Sequence, residues 1–161
     1  MEVARIIVGI GQLMVVNSPT VLVGAALGSC VGLMLYDEHH RVAGLAHIML
    51  PSSSDGRVDG LPAKFADRAI PLMLVRLEEL GGKATYCRAK LAGGAQMFLG
   101  GDGIRRNVGV RNVEVVKVLL DEYRIPVLAE DTGGDHARTV EFDTGNFEVS
   151  IRSIIREQKK I

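Results

Sequence analysis

The first third of the chain alternates short apolar runs with breaks. Residues 5–16 are rich in Ile and Val but interrupted by Gly9 and Gly11, which predicts a bent or bulged strand. Asn17-Ser18-Pro19 predicts a turn. Residues 21–27 form a continuous apolar run, the mark of a buried strand, and Gly28-Ser29 end it. Residues 31–36 and 42–50 flank the polar stretch Asp37-Glu38-His39-His40-Arg41 and predict a hairpin.

The period then changes. Residues 51–61 are polar and rich in Gly and Ser, so an exposed loop is expected, and Pro62 suits the first turn of a helix. Phe65, Ala69, Leu72, Met73, Val75, Leu77 and Leu80 recur near helical spacing, with Gly81-Gly82 as the stop and Pro71 predicting a kink or a later start. A strand is expected at 84–91, and a loop around Met97 and Phe98 between Gly93-Gly94 and Gly100-Gly101-Asp102-Gly103. A second helix is expected at 109–123, its apolar side carrying Val113, Val116, Leu119, Leu120 and Tyr123. A strand at 126–130 and a hairpin of 138–143 with 146–152 complete the pattern, and residues 155–161 read as a charged, frayed tail. Strands, helix, strand, helix, strands is an α/β (α+β) order without strict alternation. It predicts a layered sandwich of packed mixed sheets with outer helices, not a Rossmann fold.

Composition narrows the class. A chain of 161 residues fits one domain with a full core. Nineteen basic and nineteen acidic residues cancel, which argues against a general nucleic-acid binder. The apolar run 21–27 is too short to span a bilayer. Two cysteines give no disulfide framework, and with no signal peptide legible the expected compartment is the reducing cytoplasm. A monomer is the default expectation.

Two residues invite chemistry. Cys30, in Leu27-Gly28-Ser29-Cys30-Val31, sits just past a tight turn at the junction of two apolar runs. It reads either as a buried small hydrophobe or as a thiol presented beside unpaired N–H groups of Gly28 and Ser29 that could hold an oxyanion. His47 is a lone imidazole inside an apolar strand, either a satisfied core histidine or a functional one. The predicted hairpin brings the two near each other, and an adjacent imidazolium would pull the thiol well below its ordinary range. His39-His40, His136 and the two cysteines lack the spacing of a zinc site, so no metal is expected. No Gly-x-Ser-x-Gly elbow surrounds Ser29 or Ser52–Ser54, and the glycines at 93–94 and 100–103 match no nucleotide-binding fingerprint. Cys87 reads as structural.

Five ordered segments carry a more specific signal. These are Leu27–Val31, Ala46-His47-Ile48-Met49-Leu50-Pro51, Lys90-Leu91-Ala92-Gly93-Gly94-Ala95-Gln96-Met97-Phe98, Gly109-Val110-Arg111-Asn112 and Ala129-Glu130-Asp131-Thr132-Gly133-Gly134. Together they resemble the CheD family of chemoreceptor glutamine deamidases, over about residues 6–152. The resemblance implies a cofactor-free cysteine hydrolase, similar in fold to deamidating bacterial toxins, that converts receptor glutamines to glutamates through a thioester. Hydrolysis of glutamyl methyl esters is also implied. The family's nucleophile aligns with Cys30 and its histidine with His47. The threonine that orients the histidine in the family aligns with Gly24, and Thr20 lies too far back to replace it. Implied partners are the cytoplasmic helices of chemoreceptors and a CheC-type phosphatase. Binding that phosphatase is an alternative main role. Loop 51–61 and segment 96–103 are the expected rims of the site.

Overall fold

A computed structural model describes residues 2–97, 107–153 and 156–161. Among the described residues, ten strands form two five-stranded mixed sheets, and two α-helices lie against one of them. This is the layered α+β sandwich that the element order predicts.

The first sheet contains β1 (Arg5–Ile7), β3 (Val21–Leu27), β8 (Arg138–Asp143), β9 (Glu148–Ser153) and β10 (Arg156–Lys160), in that order. The second runs β2 (Leu13–Asn17), β5 (Val42–Ile48), β4 (Val31–Asp37), β6 (Arg88–Gly93) and β7 (Val127–Thr132). The segment read as one bulged strand over 5–16 is therefore two strands in different sheets. Gly9 and Gly11 mark the crossing, and Gly11 takes a positive φ of 75°. The charged tail also departs from expectation: its residues 156–160 form an edge strand on β9.

The second sheet is buried on both faces, because β4 and β5 are buried at every position. On its outer face Leu33, Leu35, Ala46 and Ile48 pack against α1 (Ala66–Glu79) and α2 (Val108–Glu122). Alternate residues Met34, Tyr36, Ala43 and Leu45 face the first sheet, where they meet Leu22, Val140, Phe142 and Val149. The two-residue period of a strand sorts these sets. Helix α1 starts at Ala66 rather than at Pro62, after Phe65 bridges Leu50, and it holds Pro71 inside. Its Val75 and Leu80 are exposed, as is Tyr123 beyond α2, so the apolar stripes are narrower than their spacing suggests.

Candidate functional site

Cys30 stands in the turn between β3 and β4. The turn is made by distortion on one side and small residues on the other. Before it, the register of β3 against β8 shifts between Gly24 and Leu27, and Ala26 adopts a positive φ of 53°. That is a bulge, which bends the strand and re-aims the residues after it. Beside it, Gly93 (φ 99°) ends β6, and a β-carbon there would fall on the Cys30 carbonyl oxygen. Glycine is required here both for the backbone conformation and for the close approach.

His47 lies on β5 directly opposite Gly32 of β4. Cys30 precedes Gly32 by two residues, so thiol and imidazole share the face that looks at the first sheet. Such diagonal neighbours have backbones ~7–8 Å apart, within reach of a ring and a thiol. Space for them comes from small residues: Gly24 and Gly32 both point at Leu27 and Val140, and Ala92 lies alongside.

The two ring nitrogens of His47 differ. Nδ1 is 3.2 Å from the carbonyl oxygen of Val8, which fixes it as the donor nitrogen of a neutral ring. Nε2 is buried and has no hydrogen-bond partner among the described residues. The backbone of His47 is itself held on both sides, by Gln12 and Gly11 at 2.9 Å. Burial pushes the imidazole below its ordinary range, with the Val8 bond opposing it weakly. Burial also pushes the Cys30 thiol up, to about 11. Burial thus disfavours both charged forms, which runs against the thiolate–imidazolium pair expected from the sequence.

The other motif segments converge on this turn. The carbonyls of Gly28, Ser29 and Cys30 accept from the Ala95 backbone N–H (2.9 Å), the Asn112 side-chain amide (2.9 Å) and the Gly94 backbone N–H (2.8 Å). The N–H groups of the same three residues donate to no acceptor among the described residues. The turn at 131–134 holds the 93–96 segment from outside: Gly133 N–H donates to the Gly93 carbonyl and Gln96 N–H to that of Gly134, each at 2.9 Å. Buried Arg138 in turn donates to the carbonyls of Asp131 (2.7 Å) and Gly133. Gly109 lets the start of α2 sit against Ala95, where any side chain would collide.

Other candidates fall elsewhere. Thr20 is at the opposite end of β3, its hydroxyl donating to the Pro19 carbonyl at 2.8 Å. His39 stacks on Tyr86, and His40 lies 2.7 Å from Asp37, both at the far end of the hairpin. His136 lies 3.2 Å from the carboxylate of its neighbour Asp135. Cys87 is buried just before β6, rather than within the strand, with its thiol pushed up to about 12. Of the expected rims, Met97 covers Gly28, while residues 98–103 lie outside the described residues. Loop 51–61 is partly organised. Ser52 and Asp55 cap a short 3-10 turn, and Asp55 meets Arg111 at 3.2 Å. Two contributors escape the sequence reading. The Val8 carbonyl has no side-chain signature. Asn112 does have one, because it is a polar residue on the buried 112–116–120 stripe of α2.

Two stacked mixed sheets with helices on one outer face define a layered α+β protein, and Cys30 and His47 lie toward the same end of its inner face. The chain belongs to the CheD family: the family model described as CheD chemotactic sensory transduction matches residues 49–153. The chain is 47% identical over 156 residues to the chemoreceptor glutamine deamidase CheD of Halalkalibacterium halodurans, covering 96% of each chain. It is 48% identical over 152 residues to a probable chemoreceptor glutamine deamidase CheD of Desulforamulus reducens, covering 94% of this chain and 92% of the relative. No helix among the described residues is long and apolar enough to cross a membrane.

Proposed function

We propose that this chain is a protein-glutamine deamidase acting on chemoreceptors, with Cys30 as nucleophile and His47 as proton carrier. The observation that carries the reading is Nε2 of His47, which has no partner among the described residues and lies on the same sheet face as Cys30. A satisfied core histidine would use both nitrogens. This one donates from Nδ1 to Val8 and keeps its basic nitrogen for chemistry.

From the neutral resting pair, Nε2 takes the Cys30 proton as sulfur attacks the carboxamide carbon of a receptor glutamine. Backbone N–H groups of the Gly28–Cys30 turn receive the developing oxyanion. The imidazolium passes its proton to the departing nitrogen, ammonia leaves, and a thioester to Cys30 remains. A water then gives its proton to Nε2 and attacks the thioester. Glutamate is released and the thiol is restored. Generating the nucleophile by general base matches a thiol held near 11 better than a preformed thiolate would. The Val8 carbonyl takes over the orienting role that the family gives to a threonine, here Gly24. The same acyl chemistry extends to glutamyl methyl esters.

In this reading the whole chain is one catalytic domain that works in the cytoplasm as a monomer, on receptor helices, with a CheC-type phosphatase as a further partner. Conversion of glutamine to glutamate in a receptor cytoplasmic fragment, monitored by mass spectrometry, tests it. Conversion by the wild-type chain that vanishes in Cys30→Ala is expected. Equal conversion by both, or none by either with a folded fragment, contradicts it.

A further inference from the structure

We propose that Asn112 is a positioning residue that aims the Cys30 backbone N–H at the reacting carbonyl. The inference rests on the catalytic reading of Cys30 given above. Asn112 is fully buried in the first turns of α2, on the outer face of the second sheet. Its amide nitrogen donates two bonds of 2.9 Å, one to the carbonyl of Ser29 and one to the carbonyl of Met49. Ser29 immediately precedes Cys30, and Met49 lies two residues after His47. One planar amide therefore spans the two segments that carry the pair. Both partners are carbonyls, so the nitrogen must face them, and Oδ1 is left buried with no partner among the described residues. Leaving a buried acceptor unpaired is costly, and here the two donated bonds compete against that cost.

The Ser29–Cys30 peptide is planar and trans, so its carbonyl and its N–H point in opposite directions. Asn112 draws the carbonyl toward the helix layer. The Cys30 N–H is thereby turned toward the first sheet, the side on which the thiol and imidazole lie. The neighbouring carbonyls of Gly28 and Cys30 are held by the N–H groups of Ala95 and Gly94, which restrains the turn on both sides of this peptide.

The test compares two reactions at the same sulfur. Amide hydrolysis develops an oxyanion, whereas alkylation by iodoacetamide is a displacement at carbon and develops none. In the full chain, Asn112→Asp keeps the shape and removes both donors, and Asn112→Ser keeps one. Deamidation of the receptor fragment is expected to fall in kcat by about a hundredfold for Asn112→Asp, the scale of losing one oxyanion donor, and by less for Asn112→Ser. KM and the plateau alkylation rate of Cys30 at high pH should both stay within about threefold of wild type, because neither depends on the oxyanion donor and the plateau is insensitive to any shift a new carboxyl imposes on the thiol. Should Asn112→Asp not fold, Asn112→Ser carries the comparison, having one uncharged donor in place of two. Wild-type kcat in either folded variant would overturn the inference. So would a parallel loss of kcat and alkylation, which would make Asn112 a bolt between segments and no more. Failure of the underlying reading looks different: Cys30→Ala would then deamidate as fast as wild type.

Discussion

Strand β4 ends in two buried polar sites that contrast. At the Asp37 end the carboxylate is fully buried and receives the backbone N–H groups of His40 (3.0 Å) and Lys83 (2.8 Å) and the His40 ring (2.7 Å). Nearby, Tyr36 stacks on Phe147 at 5.0 Å and tilts against Phe142, filling the space between the sheets. At the Cys30 end glycines and an alanine replace aromatics, Ala26 and Gly93 hold positive φ, and one nitrogen of the buried His47 has no partner among the described residues. The first end satisfies its polar group and so acts as structure. Among the described residues, the second leaves a basic nitrogen and three N–H groups without a protein partner, at a cost in stability for the buried imidazole.

If the contrast is right, substitutions at the two ends separate into losses of activity and losses of stability. The largest effect is expected from Cys30→Ala, which should lower deamidation at least about a thousandfold while leaving the fold intact. His47→Gln should cost about 10²–10⁴-fold in kcat, the usual worth of a positioned general base, read by the same glutamate assay. Gly93→Ala forces a side chain onto the Cys30 carbonyl in a left-handed conformation, so about 3 kcal/mol of stability should vanish in urea melts, with activity falling alongside.

At the structural end, Asp37→Asn sets an amide against the Lys83 N–H and should cost about 1–3 kcal/mol in urea melts without changing kcat per folded molecule. Its pH dependence has a definite sign. Burial alone would raise the Asp37 carboxyl, but the bonds from Lys83 and His40 outweigh it and hold the group below its ordinary 3.8. The stability it contributes is present above 3.8, is lost as pH falls through the depressed value, and should be absent from the Asn variant. His47 has the same sign at higher pH. With its folded value depressed, wild-type stability should decline as pH drops below about 6.5, and His47→Gln should flatten that decline. The smallest effect on kcat is expected from Gly24→Thr. Because the Val8 carbonyl already fixes Nδ1, kcat per folded molecule should stay within about threefold of wild type, although the new β-carbon, 3.1 Å from Val140, costs stability. A large gain would mean that the family's hydroxyl is missed here.

Much of this is legible in the chain. The apolar runs around Asp37–Arg41 place Cys30 at the start of one strand and His47 on its antiparallel neighbour, and the helical periods place α1 and α2. The features that escape a reading of the chain do so for physical reasons. Residues 5–16 read the same whether their halves share a sheet or not, since a period of two is blind to the partner. The tail 156–160 is charged because an edge strand tolerates charge, and charge reads as disorder. The Val8 carbonyl belongs to the backbone. Asn112 hides among the valines of α2, although a lone amide on a buried stripe is the kind of exception that marks a purpose. The direction in which burial moves the two groups is hidden because spacing reveals proximity but not burial.

The rate of Cys30 alkylation by iodoacetamide as a function of pH tests the central claim, a neutral pair poised by burial, most directly. A thiol held near 11 should react slowly at neutral pH and gain about tenfold per pH unit from 8 to 10, levelling off only near 11. A rate already at its plateau below pH 7 would mean that the site rests as thiolate and imidazolium, and would contradict the account.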